Sequence, residues 1–150
     1  MEDDKIHAVV NGQLSDLKEV GDGIFSTGIM GEGVAIIPSD NVIYAPCDGY
    51  VSIVYQAKHA IGIINKQGVE ILIHLGIDTV RLDGKYFETF VNSHEEIVSG
   101  QKLAYFEYDK IRSEGYNPCV LLIVTNKNHK TCQVLEKKRV SINDTVIVMN

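Results

Sequence analysis

The chain is punctuated at short, regular intervals, and that punctuation restricts its fold more than any other feature. Seven runs rich in β-branched and apolar residues recur: VAIIP (34–38), GYVSIVY (49–55), AIGIIN (60–65), VEILIHL (69–75), KLAYFEY (102–108), VLLIVTN (120–126) and TVIVMN (145–150). Gly, Pro, Asn or Asp separates them, and Pro38, Pro46 and Pro118 fall at run boundaries, where a missing N–H does least harm to a ladder. Spacing of this kind predicts an antiparallel β-sandwich or barrel. Only YDKIRSEGY reads as helix, about two turns, with Gly115 as its stop. The expected fold class is mainly β, with one or two short helical turns.

No linker or composition shift divides the chain, and 150 residues suit one domain over 1–150, with residues 1–10 as a flexible lead-in. A net charge of −6 argues against nucleic acid and against anionic membrane surfaces as partners, and leaves room for a basic protein. The three cysteines, Cys47, Cys119 and Cys132, form no CxxC and read as reduced, mostly buried thiols. The N-terminus MEDDKIHAVV is acidic where a signal peptide is basic, and no run of 18 apolar residues occurs. A cytoplasmic location is expected, and Met1 favours a stand-alone chain.

Chemistry concentrates in HAIGIINKQGVEILIH, which begins on His59 and ends on His74. Asn65-Lys66-Gln67-Gly68 is a turn signal. A two-residue loop pairing Asn65 with Gly68, or a four-residue loop pairing Ile64 with Val69, sets His59 directly across from His74, with Cβ atoms about 4.5–5.5 Å apart. A three-residue loop with a bulge shifts the pairing by one and sends the rings to opposite faces. Loop composition leaves both open. After the turn, Val69, Ile71, Ile73 and Leu75 share the core face; Glu70, Leu72 and His74 share the other, so His74 should point outward beside an exposed Leu72.

Three chemistries fit two adjacent imidazoles. The pair could hold a metal with a third ligand from elsewhere. One ring could be a nucleophile while the other hydrogen-bonds the group it receives. Or the pair could form a pH-sensitive binding surface.

GVEILIHLGIDTV, Gly68 to Val80, resembles the signature of the glucose-type enzyme IIA component of the bacterial sugar phosphotransferase system. GDGIFSTGIMGEGVAIIPSDNVIYAPCDGYVSIVY and KHAIG look like the family's first half; DGKYFE, IVSGQKLAYFEYDKIRSEGYNP and VLLIVTN look like its second. The likeness runs from about Asn11 to Asn150. It implies a phosphotransferase component on an antiparallel β-sandwich, with His74 as the phosphorylated nucleophile and His59 as the histidine that stabilises the phosphoryl group. The donor would be the small phosphocarrier HPr, the acceptor a cysteine of an enzyme IIB domain in a sugar permease, and no cofactor would be needed. None of the three cysteines here lies in a context like the IIB motif, so the acceptor would be elsewhere. Ile24, Phe25, Met30, Tyr55 and Leu72 match the family's apolar docking rim. Asp78 matches a family carboxylate near the histidine, which implies pairing with a basic side chain of HPr, and it equally suits capping the GIDT turn.

Two departures carry weight. Many family members have Thr two residues before the supporting histidine, where its hydroxyl orients the ring; here the position is Ala57. A family glycine before IVSGQ is replaced by His94, which is strained if it keeps a positive φ. The alternative function within the family is a regulatory protein that binds metabolic enzymes or transporters according to His74 phosphorylation, with zinc bridging His59 and His74 to a partner. A metal-dependent hydrolase is the rival from another class. It needs an HxH element, and the residue two past His74 is Gly76.

Overall fold

The computed structural model describes residues 2–19, 31–136 and 138–150. Its strands are β1 (Lys5–His7), β2 (Gly12–Asp16), β3 (Glu32–Pro38), β4 (Val42–Tyr44), β5 (Gly49–Val54), β6 (Ala60–Asn65), β7 (Glu70–Leu75), β8 (Phe87–Thr89), β9 (Glu96–Ile97), β10 (Lys102–Phe106), β11 (Val120–Asn126), β12 (Cys132–Val134), β13 (Arg139–Val140) and β14 (Thr145–Met149). All pairings among them are antiparallel. One large sheet runs β13-β2-β3-β11-β7-β6-β5-β9, and two small ones run β1-β14-β12 and β4-β10-β8.

Alternation along the strands builds the core. Val34, Ile36, Ile61, Ile63, Ile71, Ile73, Leu75, Val120 and Leu122 project from one face of the large sheet into a single apolar cluster. The small sheets close it with Ile6, Ile43, Leu103, Phe106, Ile147 and Met149. The chain's start packs on this core: Lys5–His7 pairs with β14, the Ala8 N–H donates to the Asp144 carbonyl, the Tyr44 N–H donates to the Val9 carbonyl, and Ala8, Val9 and Val10 are buried.

The expected helix is α1 (Tyr108–Ser113). Gly115, at φ +94°, ends it: the Gly115 N–H reaches the Arg112 carbonyl and the Tyr116 N–H reaches Ile111, the double bond of a Schellman stop. His94 does adopt a left-handed φ of 72°, and its N–H is fixed on the Val51 carbonyl.

Candidate functional site

The turn between β6 and β7 takes the three-residue form. Asn65 and Val69 face each other through the Asn65 N–H on the Val69 carbonyl, and Gly68 sits at φ +76°. The Asn65 side-chain oxygen accepts the N–H groups of both Gln67 and Val69, which locks this loop against the two- and four-residue alternatives. Register follows: Ala60, not His59, pairs with His74. The direct cross-strand pairing of the histidines is therefore corrected, since the bulged turn moves every pair by one.

The rings meet nevertheless. Their centroids are 5.0 Å apart with planes at 82°, and Tyr55 stands edge-on to His59 at 5.6 Å. His59 lies in the turn before β6, outside the regular ladder, so strand alternation does not dictate where its ring goes.

His74 is held between two strands, opposite Ala60 on β6 and Leu121 on β11. Its Nδ1 is 2.6 Å from the Gly76 carbonyl oxygen. A carbonyl only accepts, so Nδ1 carries the hydrogen, and the lone pair of the neutral ring is on Nε2. Gly76 is in turn fixed by its N–H on the Cys119 carbonyl at 2.9 Å and by the next peptide, Ile77 N–H on Asn117. At φ +85°, a Cβ at Gly76 would come within 2.5 Å of Thr79 Cγ2 and 3.1 Å of the Asn117 oxygen. Only glycine lets this carbonyl reach the ring. Sequence reasoning treated Gly76 merely as the residue that breaks HxH; its signal was a glycine two places after the histidine at a strand's end.

His59 is buried, and burial first, then the neighbouring His74, pushes its pKa down to about 4. The ring is neutral at pH 7. Its Nδ1 is buried with no hydrogen-bond partner among the described residues, and Ala57 offers it no hydroxyl. An orphaned buried N–H is costlier than an under-satisfied acceptor, so the hydrogen belongs on Nε2.

Around the pair, Tyr55 is exposed. Leu72 is not: at 8% exposure it is buried, flanked across the ladders by Gly62 and Ile123. Ile53 presents the apolar surface there instead. Its Cγ2 leans over Gly62, where an added Cβ would meet it at 3.0 Å, and the residue is 44% exposed. Behind His74 the same face carries a second apolar cluster of Leu17, Ala35, Cys119, Leu121 and Ile123. Asp78 is exposed in a left-handed conformation and makes no side-chain cap to the turn that follows. Ile24, Phe25 and Met30 lie outside the described residues.

Two imidazoles offer two nitrogen donors, and no group of three or more His, Cys, Asp or Glu side chains suited to a metal occurs among the described residues. No helix among the described residues is long and apolar enough to cross a membrane.

Known proteins resemble this chain in sequence and in fold. Residues 4–130 match the family described as phosphoenolpyruvate-dependent sugar phosphotransferase system, EIIA 1. The glucose-specific EIICBA component of Staphylococcus carnosus is 40% identical over 144 residues, covering 96% of this chain and 21% of that protein. The beta-glucoside-specific EIIBCA component of Bacillus subtilis is 41% identical over 121 residues, covering 81% of this chain and 20% of its own length. This chain thus spans about a fifth of those relatives. The solved glucose permease IIA from Mycoplasma capricolum superposes with a TM-score of 0.91 at 36% identity, covering 96% of this chain and 94% of that one. With a family match across most of its length and a near-complete structural counterpart, the chain belongs to the EIIA family of the phosphoenolpyruvate-dependent sugar phosphotransferase system.

Proposed function

We propose that this chain is the phosphocarrier of a sugar phosphotransferase system and that His74 Nε2 carries the phosphoryl group. The observation that supports this best is the hydrogen bond from His74 Nδ1 to the Gly76 carbonyl, which directs the lone pair to Nε2. The donor is a phosphohistidine on HPr. His74 Nε2 attacks phosphorus in line, a P–N bond forms as the donor's P–N bond breaks, and the HPr imidazole leaves with the electron pair. One P–N bond replaces another, so the barrier is lowered chiefly by positioning and charge stabilisation.

Two groups supply that stabilisation. As Nε2 bonds to phosphorus, positive charge develops on the His74 ring, and the Nδ1–H bond to Gly76 strengthens. His59, neutral with its hydrogen on Nε2, donates to a phosphoryl oxygen. The step needs no metal or organic cofactor. The phosphoryl group next passes to a cysteine of an enzyme IIB domain; relatives that carry B and C components beside A in their names support that order. Cys47 and Cys119 do not serve, because burial pushes their thiols up to about 12 and about 11. Relatives named for glucose and for β-glucosides match alike, as expected if the membrane component chooses the sugar.

The test is phosphoryl uptake from phosphoenolpyruvate through enzyme I and HPr, with wild type, His74→Ala and His59→Gln. Wild type and His59→Gln should each take up one acid-labile phosphate and His74→Ala none, with His59→Gln slow in onward transfer. No uptake by wild type from a competent HPr would overturn the reading.

A further inference from the structure

The register of β6 and β7 poses a problem that the ring geometry makes sharp. His59 is formally opposite Leu75, whose N–H donates to the His59 carbonyl at 2.7 Å. Leu75 is fully buried in the main core, on the same face as Ile61 and Ile73. Strict alternation would send the His59 ring into that core as well. Yet the ring stands 5.0 Å from His74, which points to the opposite face. Something must turn the chain just before β6.

Lys58 is the residue that does so. Its φ is 63°, in the left-handed region, and its N–H closes the turn on the Tyr55 carbonyl at 2.8 Å. Tyr55 and Ala60 hold the two ends together through the Tyr55 N–H on the Ala60 carbonyl at 3.1 Å. A chain passing through a left-handed residue leaves in a direction that extended backbone cannot reach, which frees the next side chain from the pleat. The neighbouring loop backs the turn: a Cβ on Gly84 would lie 3.9 Å from the Ala57 oxygen and 4.0 Å from Lys58 Cδ.

We propose that the left-handed backbone of Lys58 carries the His59 ring from the core face to the His74 face, which makes Lys58 a positioning residue for phosphoryl transfer. The transfer itself rests on the carrier role proposed above; the placement of the ring does not. The lysine amine has no part in the device, so residues that tolerate positive φ should replace it, and β-branched ones should not.

The experiment compares Lys58→Gly, Lys58→Asn and Lys58→Val, reading the nuclear Overhauser contact between the His59 and His74 rings alongside phosphoryl transfer. Gly and Asn should keep the contact and transfer within about threefold of wild type, whereas Val should lose the contact and slow transfer about 10²-fold, the size of one lost stabilising donor. Should Lys58→Val fail to fold, Lys58→Ala is read in its place and should weaken the contact in the same sense. Retention of contact and rate in the Val or Ala variant would overturn the inference. So would Gly and Asn variants as slow as Val, since the charge would then be the active feature. If wild type accepts no phosphate, the carrier reading fails while the ring contact still decides the role of Lys58.

Discussion

Replacing His59 with Gln and following urea unfolding at pH 7 and pH 5 asks whether burial really holds this imidazole neutral. In the folded chain its pKa is pushed down to about 4, by burial first and by His74 second; in the unfolded chain it returns to about 6.5. Between those values the unfolded state binds a proton that the folded state refuses. Stability therefore falls as pH falls through that window, is level above it, and has lost its full share below about pH 4. At about 1.36 kcal/mol per pKa unit, the full share is about 3 kcal/mol, and about 2 kcal/mol of it is gone by pH 5. With a urea slope of about 2 kcal/mol/M, that is a midpoint shift of about 1 M.

The variant removes both this imidazole and its coupling to His74, so the difference between wild type and variant reports the His59–His74 pair. Wild type should lose about 2 kcal/mol more than His59→Gln between pH 7 and pH 5. Equal losses would refute the reasoning, because they would mean that His59 takes its proton in the folded state as readily as in the unfolded one.

Ala57→Thr places a hydroxyl two residues before His59, whose buried Nδ1 has no partner among the described residues; thermal unfolding should show a gain of about 1 kcal/mol, absent in a His59→Gln background. Gly76→Ala meets both a positive φ and the Thr79 methyl, so it should cost about 1–3 kcal/mol in urea unfolding and slow phosphoryl uptake by displacing the carbonyl that His74 uses. Burial pushes the Cys47, Cys119 and Cys132 thiols up to about 12, about 11 and about 11. A disulfide reagent at pH 8 should accordingly label the native chain slowly and titrate all three thiols once it is unfolded.

The seven long runs were legible because each combines β-branched residues with turn residues at its ends, and the structure places a strand in every one. The two- to five-residue strands β1, β2, β4, β8, β9, β12 and β13 were not, since GQLSD or KIH is too short or too polar for a period of two to emerge. Their pairing is a tertiary outcome. The site shows the same division. The face of His74 followed from Val69, Ile71, Ile73 and Leu75 filling the core. The register did not follow, because Asn-Lys-Gln-Gly suits more than one loop, and what selects among them is the Asn65 side chain taking two N–H groups. Leu72 was misplaced for a related reason: it lies between Gly62 on β6 and Ile123 on β11, neighbours on other strands that spacing along β7 cannot reveal.

The two histidines are therefore positioned by different means, and the difference suits their roles. His74 belongs to β7, paired on both sides within the large sheet, and the hydrogen bond to Gly76 fixes its ring. Moving it would require shifting ladders that also define the core, so a nucleophile there keeps its geometry toward successive partners. His59 stands in a turn, aligned by one left-handed residue and by packing against Tyr55 and His74, with one nitrogen unpartnered among the described residues. A donor that must follow a phosphoryl group as it arrives and leaves can use that freedom. It follows that Lys58→Val, which disturbs only this turn, should alter transfer far more than stability, while substitutions along β7 should alter both together.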